Sequence, residues 1–305
     1  MANAEQQYLE LMREIMEHGN FKDTDRTGVG TWSLFGRSLR FDLKKGCLPM
    51  MTTKKTFFKG IAKELLWFLS GDCTHTESLV KDKVHIWDLN STRDYLDTRG
   101  LTEYVEGELG PVYGYQWRHW GKPYQPRAKL QRTTGTKHQV EGIDQIRRII
   151  ETIRTNPNDR RMILSAWNVS DLDQMALPPC HMMAQFYVRE TKEHKKYLSC
   201  AMYQRSADMF LGVPFNITSY ALLTHLIAHV TGCEPDELVL MFGDAHIYAN
   251  HAEQVKTQLE RYDSCKPFPT LKITKDTNNI DEIEYEHLVL ENYVSHDTIK
   301  APMAV

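Results

Sequence analysis

The stretch Leu177-Pro178-Pro179-Cys180-His181 presents one cysteine between a pair of prolines and the run 184–188. The prolines fix their own backbone angles and disfavour a helix before the cysteine. The run that follows is rich in aromatic and β-branched residues, which predicts a strand. A cysteine at the entrance to a strand is either a nucleophile, because its thiolate is reactive, or a small buried apolar residue.

Composition is typical of an ordinary globular protein. The chain has 305 residues, enough for one large domain or two smaller ones, and 41% of them are hydrophobic. Its net charge of −3 does not indicate a nucleic-acid-binding surface. The six cysteines form no CxxC pair, which indicates free thiols in a reducing compartment. Because no apolar leader and no 18-residue apolar run is found, we expect a cytoplasmic protein with no membrane contact.

Hydrophobic periodicity predicts helices and strands on both sides of the cysteine. Strands are predicted at 33–43, 162–167, 184–188 and 197–203, and helices at 60–69, 143–154 and 217–230. The last of these helices is apolar almost all round, so we expect it to lie at the centre of the protein. Phe215-Asn216 is predicted to open it, with Asn216 as a candidate N-cap. His225 and His229 share one of its faces, but no third ligand is evident, so no metal site is predicted.

Two charged residues have unusual sequence surroundings. Glu64 lies in the apolar run 60–69, where a carboxylate needs a partner or a chemical role unless it faces water together with Lys63. Arg26 lies in the loop Asp25-Arg26-Thr27-Gly28-Val29-Gly30, whose glycines allow the backbone to approach a phosphate closely. A plain glycine turn is the alternative for that loop.

Several motifs of this chain are unusual in combination. They are Asp25-Arg26-Thr27-Gly28, Glu64-Leu65-Leu66-Trp67-Phe68, Ile86-Trp87-Asp88, Gly110-Pro111-Val112-Tyr113-Gly114, Arg160-Arg161, Pro178-Pro179-Cys180-His181, Gln204-Arg205-Ser206-Ala207-Asp208, Gly212-Val213-Pro214-Phe215-Asn216 and Gly243-Asp244-Ala245-His246-Ile247-Tyr248. Together, across about residues 7 to 305, the chain resembles the thymidylate synthase family that uses a cysteine nucleophile and a folate methylene donor. The resemblance implies an α/β (α+β) fold in a single domain, 1–305, with a mixed sheet and a central buried helix, and a homodimer.

The resemblance also implies a reaction, the reductive methylation of dUMP to dTMP. The implied co-substrate is 5,10-methylenetetrahydrofolate, which donates both the one-carbon group and a hydride, and no metal is implied. Carbon 5 of uracil is a poor nucleophile, but addition of a thiolate to carbon 6 turns the base into an enolate that attacks the methylene group. Cys180 is implied to be that thiolate, and Arg205 the cation that favours it.

The family's other site residues are implied by position. The implied catalytic residues are Cys180, Glu64, Tyr113, Arg205 and Asn216. The implied substrate-binding residues are Arg26, Arg160, Arg161, Arg205, Ser206, Ala207, Asp208, Asn216, His246 and Tyr248. The implied folate-binding residues are Asp208, Ile86, Trp87, Asn90, Leu211, Gly212, Phe215, Ala304 and Val305. The family resemblance further implies that Arg160 and Arg161 reach the phosphate from the partner subunit.

Two of the chain's few departures from the family pattern concern a loop and the tail. Lys55 stands where many members have arginine, which concerns the detail of one loop. Val294-Ser295-His296-Asp297 replaces a commoner Pro-His-Pro-like stretch, so closure of the tail over the folate is expected to differ.

Two other functions would use the same motifs. A dUMP hydroxymethylase would use the same cysteine and folate but let water trap the methylene intermediate. Trp87 and the apolar tail favour the synthase over this alternative. The other is a non-catalytic nucleotide- or RNA-binding protein on the same fold, against which the presence of Cys180, Tyr113 and Glu64 argues.

Overall fold

The computed structural model describes residues 4–23, 28–130 and 142–303. The helices are α1 (Gln6–His18), α2 (Phe58–Ser70), α3 (Glu77–Lys81), α4 (Arg93–Thr98), α5 (Tyr113–His119), α6 (Arg127–Leu130), α7 (Gln145–Thr155), α8 (Gly212–Thr231) and α9 (Ala252–Leu259). The strands are β1 (Asn20–Lys22), β2 (Thr31–Asp42), β3 (Ile163–Ser165), β4 (His181–Glu190), β5 (Lys196–Asp208), β6 (Glu234–Tyr248), β7 (Thr270–Ile273) and β8 (Leu288–Glu291).

A six-stranded sheet in the order β1-β2-β6-β5-β4-β3 forms the centre of the fold. Within it β5 and β6 run parallel, and the other neighbouring strands pair antiparallel. Strands β7 and β8 form a separate antiparallel pair. The mixed sheet confirms the predicted fold class, and each predicted strand overlaps one of its members.

Helix α8 is the central helix that the sequence predicts. Fifteen of its 20 residues are buried, so it has no polar face to turn to water. It packs against β5 and β6, the two central strands. Gly232 ends it in the left-handed conformation, and its backbone N–H bonds the carbonyl oxygens of Ala228 and His229.

The start of α8 differs from the prediction. The helix begins at Gly212, four residues before Asn216, so the interpretation of Asn216 as an N-cap is wrong. No side chain of the described residues caps the helix; Asp208 instead orders the turn before it, because its Oδ1 accepts from the backbone N–H groups of Phe210 (3.0 Å) and Leu211 (3.2 Å). Pro214 fits within the first helical turn, where no backbone donor is needed.

Helix α7 leads to the outer edge of the sheet. Its four isoleucines, Ile146, Ile149, Ile150 and Ile153, are all buried, as their spacing predicts. The side chain of Asp144 caps the helix by accepting from the backbone N–H of Arg147 at 2.9 Å. The chain then turns through 156–162 into the edge strand β3, which places Arg160 and Arg161 at that edge.

The face of the sheet opposite α8 carries exposed apolar side chains. Met183 and Tyr187 alternate outward along β4, and the register sets Ile163 of β3 beside them. Tyr203 pairs with both Met183 and Met241, so Met241 of β6 lies on the same face. This face, named here the open sheet face, is therefore continuous across four strands. None of the helices that the described ranges contain has the length and hydropathy needed to span a bilayer.

Candidate active site

Cys180 stands directly before the first residue of β4, as the proline pair predicts. Its carbonyl oxygen accepts from the backbone N–H of Arg205 at 2.9 Å, which joins the cysteine to the end of β5. The ladder shifts register between His181 and Met183, where a bulge lies next to the cysteine. Bulges bend a strand and re-aim its side chains, so this one orients the partly exposed thiol.

Arg205 is held against the cysteine by the two prolines. Its Nε donates to the carbonyl oxygen of Pro179 at 2.9 Å, and its Nη2 donates to that of Pro178 at 3.0 Å. The same Nη2 lies 4.0 Å from the Sγ of Cys180. A fixed guanidinium at this distance favours the thiolate form of the cysteine.

The remaining cysteines lack this arrangement. Burial raises the pKa of Cys47 to about 11, and it raises the pKa of Cys73, Cys200 and Cys265 to about 12. These thiols stay protonated at neutral pH and are poor nucleophiles. The contact with Arg205 and the raised pKa values of these four thiols therefore both favour Cys180 over them, and Cys233 is buried.

Tyr113 opens α5 and touches the cysteine backbone. Its hydroxyl oxygen accepts from the backbone N–H of Cys180 at 2.8 Å. Burial, and then the negative charge of a Cys180 thiolate, hold the pKa of Tyr113 well above its usual value. The phenol therefore stays neutral, and its O–H is able to donate to a second group.

His181 is a site residue to which the sequence analysis assigned no role. Its ring stacks on that of Tyr113 with a centroid distance of 4.1 Å, and its Nδ1 lies 2.8 Å from the hydroxyl of Tyr220. Burial lowers the pKa of His181 to about 3, so the ring is neutral. His181 thus supports Tyr113, and it carries no charge that would form an ion pair with Cys180. Its place in the Cys180-His181 pair was the available signal, but its stacking partner lies far away in sequence.

Glu64 projects from α2 toward an aromatic cluster. The indole N–H of Trp87 donates to its Oε1 at 2.7 Å, so the interpretation that Glu64 merely faces water with Lys63 is wrong. Lys63 instead lies 3.2 Å from a carboxylate oxygen of Asp82. Burial raises the pKa of Glu64 to about 7, and the indole hydrogen bond opposes this rise. A carboxyl group with such a pKa exchanges protons readily at neutral pH.

Asn216 lies in the first turns of α8, beside the end of β5. Its Oδ1 accepts from the Nε2 of Gln204 at 3.1 Å, and Gln204 also donates to the carbonyl oxygen of Ser206 at 2.9 Å. Gln204 is buried, so this contact fixes the direction of the Asn216 amide. Gln204 is a second residue whose role the sequence analysis did not identify, although it belongs to the quoted 204–208 motif.

The carboxyl ends of β5 and β6 place further predicted residues side by side. The parallel register sets Ser206 beside Asp244 and Asp208 beside His246, with Ala207 between them on β5. The Nδ1 of His246 lies 3.2 Å from Asp244 Oδ1, and this bond is the first cause that lowers the pKa of Asp244, to about 2. The ring of Tyr248 meets the ring of His246 edge-on. This end of the sheet therefore concentrates polar groups next to Cys180 and Arg205.

Comparison with known proteins gives one consistent result. The family model for thymidylate synthase matches residues 6–305. A thymidylate synthase of Herpesvirus ateles is 51% identical over 99% of both chains. That of Homo sapiens is 48% identical over 99% of this chain and 91% of its own. A bifunctional dihydrofolate reductase-thymidylate synthase of Leishmania major is 52% identical, and the match covers 99% of this chain but 55% of the longer protein.

The chain belongs to the thymidylate synthase family. Its reaction is accordingly the methylation of dUMP to dTMP, with methylenetetrahydrofolate as co-substrate. The comparisons do not support the hydroxymethylase or the non-catalytic alternative. In the described ranges no group of three or more histidine, cysteine or acidic side chains forms a metal site. His225 and His229 instead direct their Nε2 atoms to the backbone oxygens of Cys47 and Lys275, each at 2.8 Å.

A cleft of about 560 Å³ lies beside the start of α8. Its lining includes the predicted Leu211 and Phe215. The other lining residues, absent from the sequence prediction, are Lys54, Lys55, Thr56, Phe57, Phe58, Pro214, Tyr293, Thr298 and Ile299. Lys54 is notable because burial lowers its pKa to about 7, while its Nζ lies over the Phe210 ring and donates to the Phe210 carbonyl oxygen.

The predicted residues Ile86, Trp87 and Asn90 lie outside the lining of this cleft. Trp87 meets the ring of Tyr113 edge-on at 5.9 Å, so it borders the catalytic side. Asn90 is half-buried and donates its backbone N–H to the carbonyl oxygen of Trp87, while Ile86 packs partly buried against the core. Gly212 begins α8 next to Asp208, and an added Cβ there would lie 3.6 Å from the Asp208 Cβ.

A larger cavity of about 640 Å³ lies against another face of α2. Lys63, Trp67 and Arg118 contribute to its wall, with residues of the 280–286 segment opposite. None of the predicted site residues lines it, so size alone does not locate the chemistry in this family member.

Of the predicted phosphate arginines, Arg205 lies beside Cys180, whereas Arg160 and Arg161 lie on the turn before β3. Arg160 offers its carbonyl oxygen to Gln185, four residues along β4 from His181 and therefore roughly 13 Å away at strand spacing. Arg161 is 87% exposed and pairs with Asp159 of its own turn at 2.7 Å. Three further predicted residues, Arg26, Ala304 and Val305, lie outside the described residues.

Proposed function

We propose that Cys180 is the nucleophile that adds to carbon 6 of dUMP. The observation that carries this proposal is the guanidinium of Arg205, fixed by two proline carbonyl oxygens at 4.0 Å from the sulfur. When the Sγ–C6 bond forms, the electrons of the C5–C6 double bond pass to carbon 5 and the carbonyl at carbon 4. Carbon 5 then attacks the folate methylene group, and one of the two methylene–nitrogen bonds breaks. Loss of the carbon 5 proton breaks the second methylene–nitrogen bond and leaves an exocyclic methylene on the base. A hydride from the folate reduces this methylene to a methyl group, and departure of the thiolate restores the C5–C6 double bond, which gives dTMP and dihydrofolate.

We assign the proton transfers to Glu64 and Tyr113. A pKa near 7 suits Glu64 to deliver and recover protons at the uracil carbonyl, directly or through water. Tyr113 remains a neutral phenol, so it does not take the carbon 5 proton as a phenolate. Its hydroxyl group instead forms a hydrogen bond with the water that accepts this proton. Its bond to the Cys180 backbone supports this placement beside the reacting carbon.

We assign recognition of the nucleoside to three side chains. Asn216 reads the uracil edge, and Gln204 supports this role because it holds one amide oxygen lone pair and so orients the amide. His246 and Tyr248 hold the deoxyribose hydroxyl, since their rings adjoin at the carboxyl end of β6. Ser206 and Ala207, which pair with Asp244 and Ala245 of β6, complete the substrate side.

We infer that the phosphate is bound by arginines from two subunits of a homodimer. Arg205 and Arg26 would come from one subunit, and Arg160 and Arg161 from its partner. Two observations support this division: Arg160 and Arg161 lie away from the cysteine of their own chain, and the open sheet face carries exposed apolar side chains. A C2 interface through that face would place the turn with Arg160 and Arg161 of each subunit beside the other subunit's site.

For the folate, we propose that Asp208 accepts from the pterin ring while the cleft beside α8 takes the apolar body. Asp208 uses Oδ1 for its backbone contacts, which leaves Oδ2 for a ligand. Leu211, Gly212 and Phe215 would form one wall. Ile86, Trp87 and Asn90 would border the pterin end, and Ala304 and Val305 would close the site against water.

We also propose that residues 1–305 form one domain and that the protein works in the cytoplasm. One continuous hydrophobic cluster, which extends from Tyr8 to Leu288, supports the single domain. Six free cysteines in the described residues support a reducing compartment.

Product analysis tests this function directly. The protein is incubated with dUMP and methylenetetrahydrofolate, and both products are identified by mass spectrometry. We expect dTMP and dihydrofolate in equal amounts. Formation of hydroxymethyl-deoxyuridylate with tetrahydrofolate would instead establish the hydroxymethylase, and nucleotide binding without turnover would establish the non-catalytic alternative.

A further inference from the structure

His251 is a buried histidine between the end of β6 and the start of α9, and the reaction as proposed does not use it. Its side chain is completely inaccessible to solvent. Its Nε2 lies 2.7 Å from the carbonyl oxygen of Pro302, a residue 51 positions later in the chain. Its Nδ1 lies 3.9 Å from Asp208 Oδ1. One imidazole thus lies between the C-terminal segment and the carboxylate of Asp208, the proposed acceptor for the pterin ring.

The hydrogen-bonding chemistry fixes the direction of this contact. A proline carbonyl oxygen only accepts, so the ring hydrogen is on Nε2 and His251 donates to Pro302. The other ring nitrogen, Nδ1, is buried with no hydrogen-bond partner among the described residues, and Asp208 Oδ1 lies 3.9 Å from it, beyond hydrogen-bond distance. A buried polar atom left in this state is costly, so packing alone would favour an apolar ring here.

The C-terminal segment runs along the folate cleft between two sets of anchors. At the near end, the N–H of His296 donates to the carbonyl oxygen of Thr52 at 2.7 Å, and Arg261 donates to that of Asp297 at 3.0 Å. The next residues, Thr298 and Ile299, line the cleft. At the far end stands the bond from His251 to Pro302. Both near anchors therefore use backbone groups of residues 294–297, where the chain departs from the family pattern.

We propose that His251 is a positioning residue for the folate, which fixes the 298–302 segment against the cleft and aligns it with Asp208. The rings of Phe210 and Tyr248 hold His251 from two sides, each at 5.5 Å between centroids. The imidazole ring thereby contacts the tail and lies near Asp208 and near the end of β6 that is proposed to bind the sugar. This inference rests on the proposed function, because it takes the cleft and Asp208 as the folate site.

Three variants test the inference. His251→Phe keeps an aromatic ring but donates no hydrogen bond, and His251→Gln restores an N–H at nearly the reach of Nε2. His225→Phe is the matched control, because His225 is also buried and also directs Nε2 to a backbone oxygen at 2.8 Å, that of Cys47, outside the cleft. Each is measured for the KM of methylenetetrahydrofolate, the KM of dUMP, kcat and amide hydrogen exchange in peptides covering 295–303.

We expect His251→Phe to raise the folate KM by about 5- to 50-fold, the effect of a buried acceptor that loses its donor, while the dUMP KM changes less than about twofold. Exchange of the tail amides should accelerate by a similar factor. His251→Gln should recover most of both losses, and His225→Phe should show neither.

Two outcomes overturn the inference. One is an unchanged folate KM with unchanged tail exchange in His251→Phe, and the other is a folded His251→Gln protein that is as defective as His251→Phe. If His251→Phe does not fold, His251→Gln is compared with the wild type alone. A rise of about fivefold or more in its folate KM contradicts the proposed hydrogen bond. Because hydrogen exchange needs no turnover, failure of the proposed function, seen as no dTMP from the wild type, is distinguishable from failure of the anchor.

Discussion

Arg205 and Arg161 carry the same guanidinium group, but the protein holds them in opposite ways. Arg205 is half-buried, donates to two proline carbonyl oxygens and faces the sulfur of Cys180. Arg161 lies on an edge turn, is 87% exposed and contacts Asp159 of the same turn. The first is fixed before any ligand arrives, whereas the second is free to meet another surface.

This difference divides the site into two parts. The proposed chemical part, with Cys180, Tyr113 and Glu64, is held by hydrogen bonds within one chain. The phosphate part is not, because the edge turn of the same chain is a strand's length away from the cysteine. Changes in the chemical part should therefore act within one subunit, and changes in the edge turn should act on the neighbouring one.

Removal of the nucleophile should have the largest effect. Cys180→Ala should lower kcat by more than about 10⁴-fold, because covalent catalysis is lost, while dUMP binding survives. Cys47→Ala is the matched control. The pKa of the Cys47 thiol is raised to about 11, so it is no nucleophile at neutral pH, and its removal should leave the enzyme active. Steady-state kinetics and calorimetric dUMP binding decide the matter. A fully active Cys180→Ala protein would contradict the proposal that Cys180 is the nucleophile.

Glu64→Gln should have the next largest effect, a loss of about 10²- to 10⁴-fold in turnover. The wild-type profile of kcat/KM should also inflect near pH 7, the pKa of Glu64, and the variant should lack that inflection. An inflection that persists unchanged in the variant would assign the proton transfers elsewhere.

The same variant makes a stability prediction with a definite sign. Since the folded pKa of about 7 exceeds the ordinary value of 4.5, the contribution of Glu64 is fully present below about 4.5 and is lost as pH rises through 7. Glu64→Gln should therefore match the wild type at pH 4.5 and exceed it by about 1–3 kcal/mol in unfolding free energy at pH 8. Chemical denaturation at the two pH values measures this difference.

Conservative replacement of the two arginines sharpens the comparison between them. Arg205→Lys cannot keep both proline contacts, so kcat/KM should fall by roughly 10- to 150-fold and the melting temperature should drop. Arg161→Lys should leave the melting temperature unchanged, because its side chain is exposed, and raise the dUMP KM by about tenfold. Equal loss of stability in the two variants would contradict the division of the site.

Asn216→Asp tests recognition of the base. A buried amide that no longer matches uracil costs about 1–3 kcal/mol per unpaired group, or roughly 5- to 150-fold in selectivity. The wild type should prefer deoxyuridylate strongly over deoxycytidylate, and the variant should lose or reverse this preference. Since α8 begins at Gly212, no cap is removed, and the melting temperature serves as the folding control. An unchanged preference would remove Asn216 from the specificity site.

The sequence predicted features that depend on local pattern. The isoleucine stripe of α7, the apolar α8 and the strand entered at Cys180 all follow from spacing, proline geometry and residue type. The start of α8 did not follow, because the helix already begins at Gly212 and no side chain in the described ranges caps it. A helix that begins without a side-chain cap has no capping residue in its sequence to mark the start.

The contacts of His181, Gln204 and His251 could not be predicted for a different reason. Each depends on a partner brought close by the fold, such as Tyr113 for His181 and Pro302 for His251. The cleft residue Phe57 is a similar case, since it precedes α2 in sequence but lines the wall beside α8. Residue type and spacing identify candidates for such roles, and the fold selects among them.

The central claim, that two subunits share the phosphate site, is tested most directly by mixing two inactive proteins. Arg161→Ala and Cys180→Ala are each purified, mixed in equal amounts, dissociated and reassembled, and the mixed dimers are confirmed by native mass spectrometry. Each mixed dimer should hold one site with both defects and one with neither, so activity should return to roughly one quarter of the wild-type value. No recovery in a preparation with confirmed mixed dimers would contradict the account, because it would place Arg161 and Cys180 in the same subunit's site.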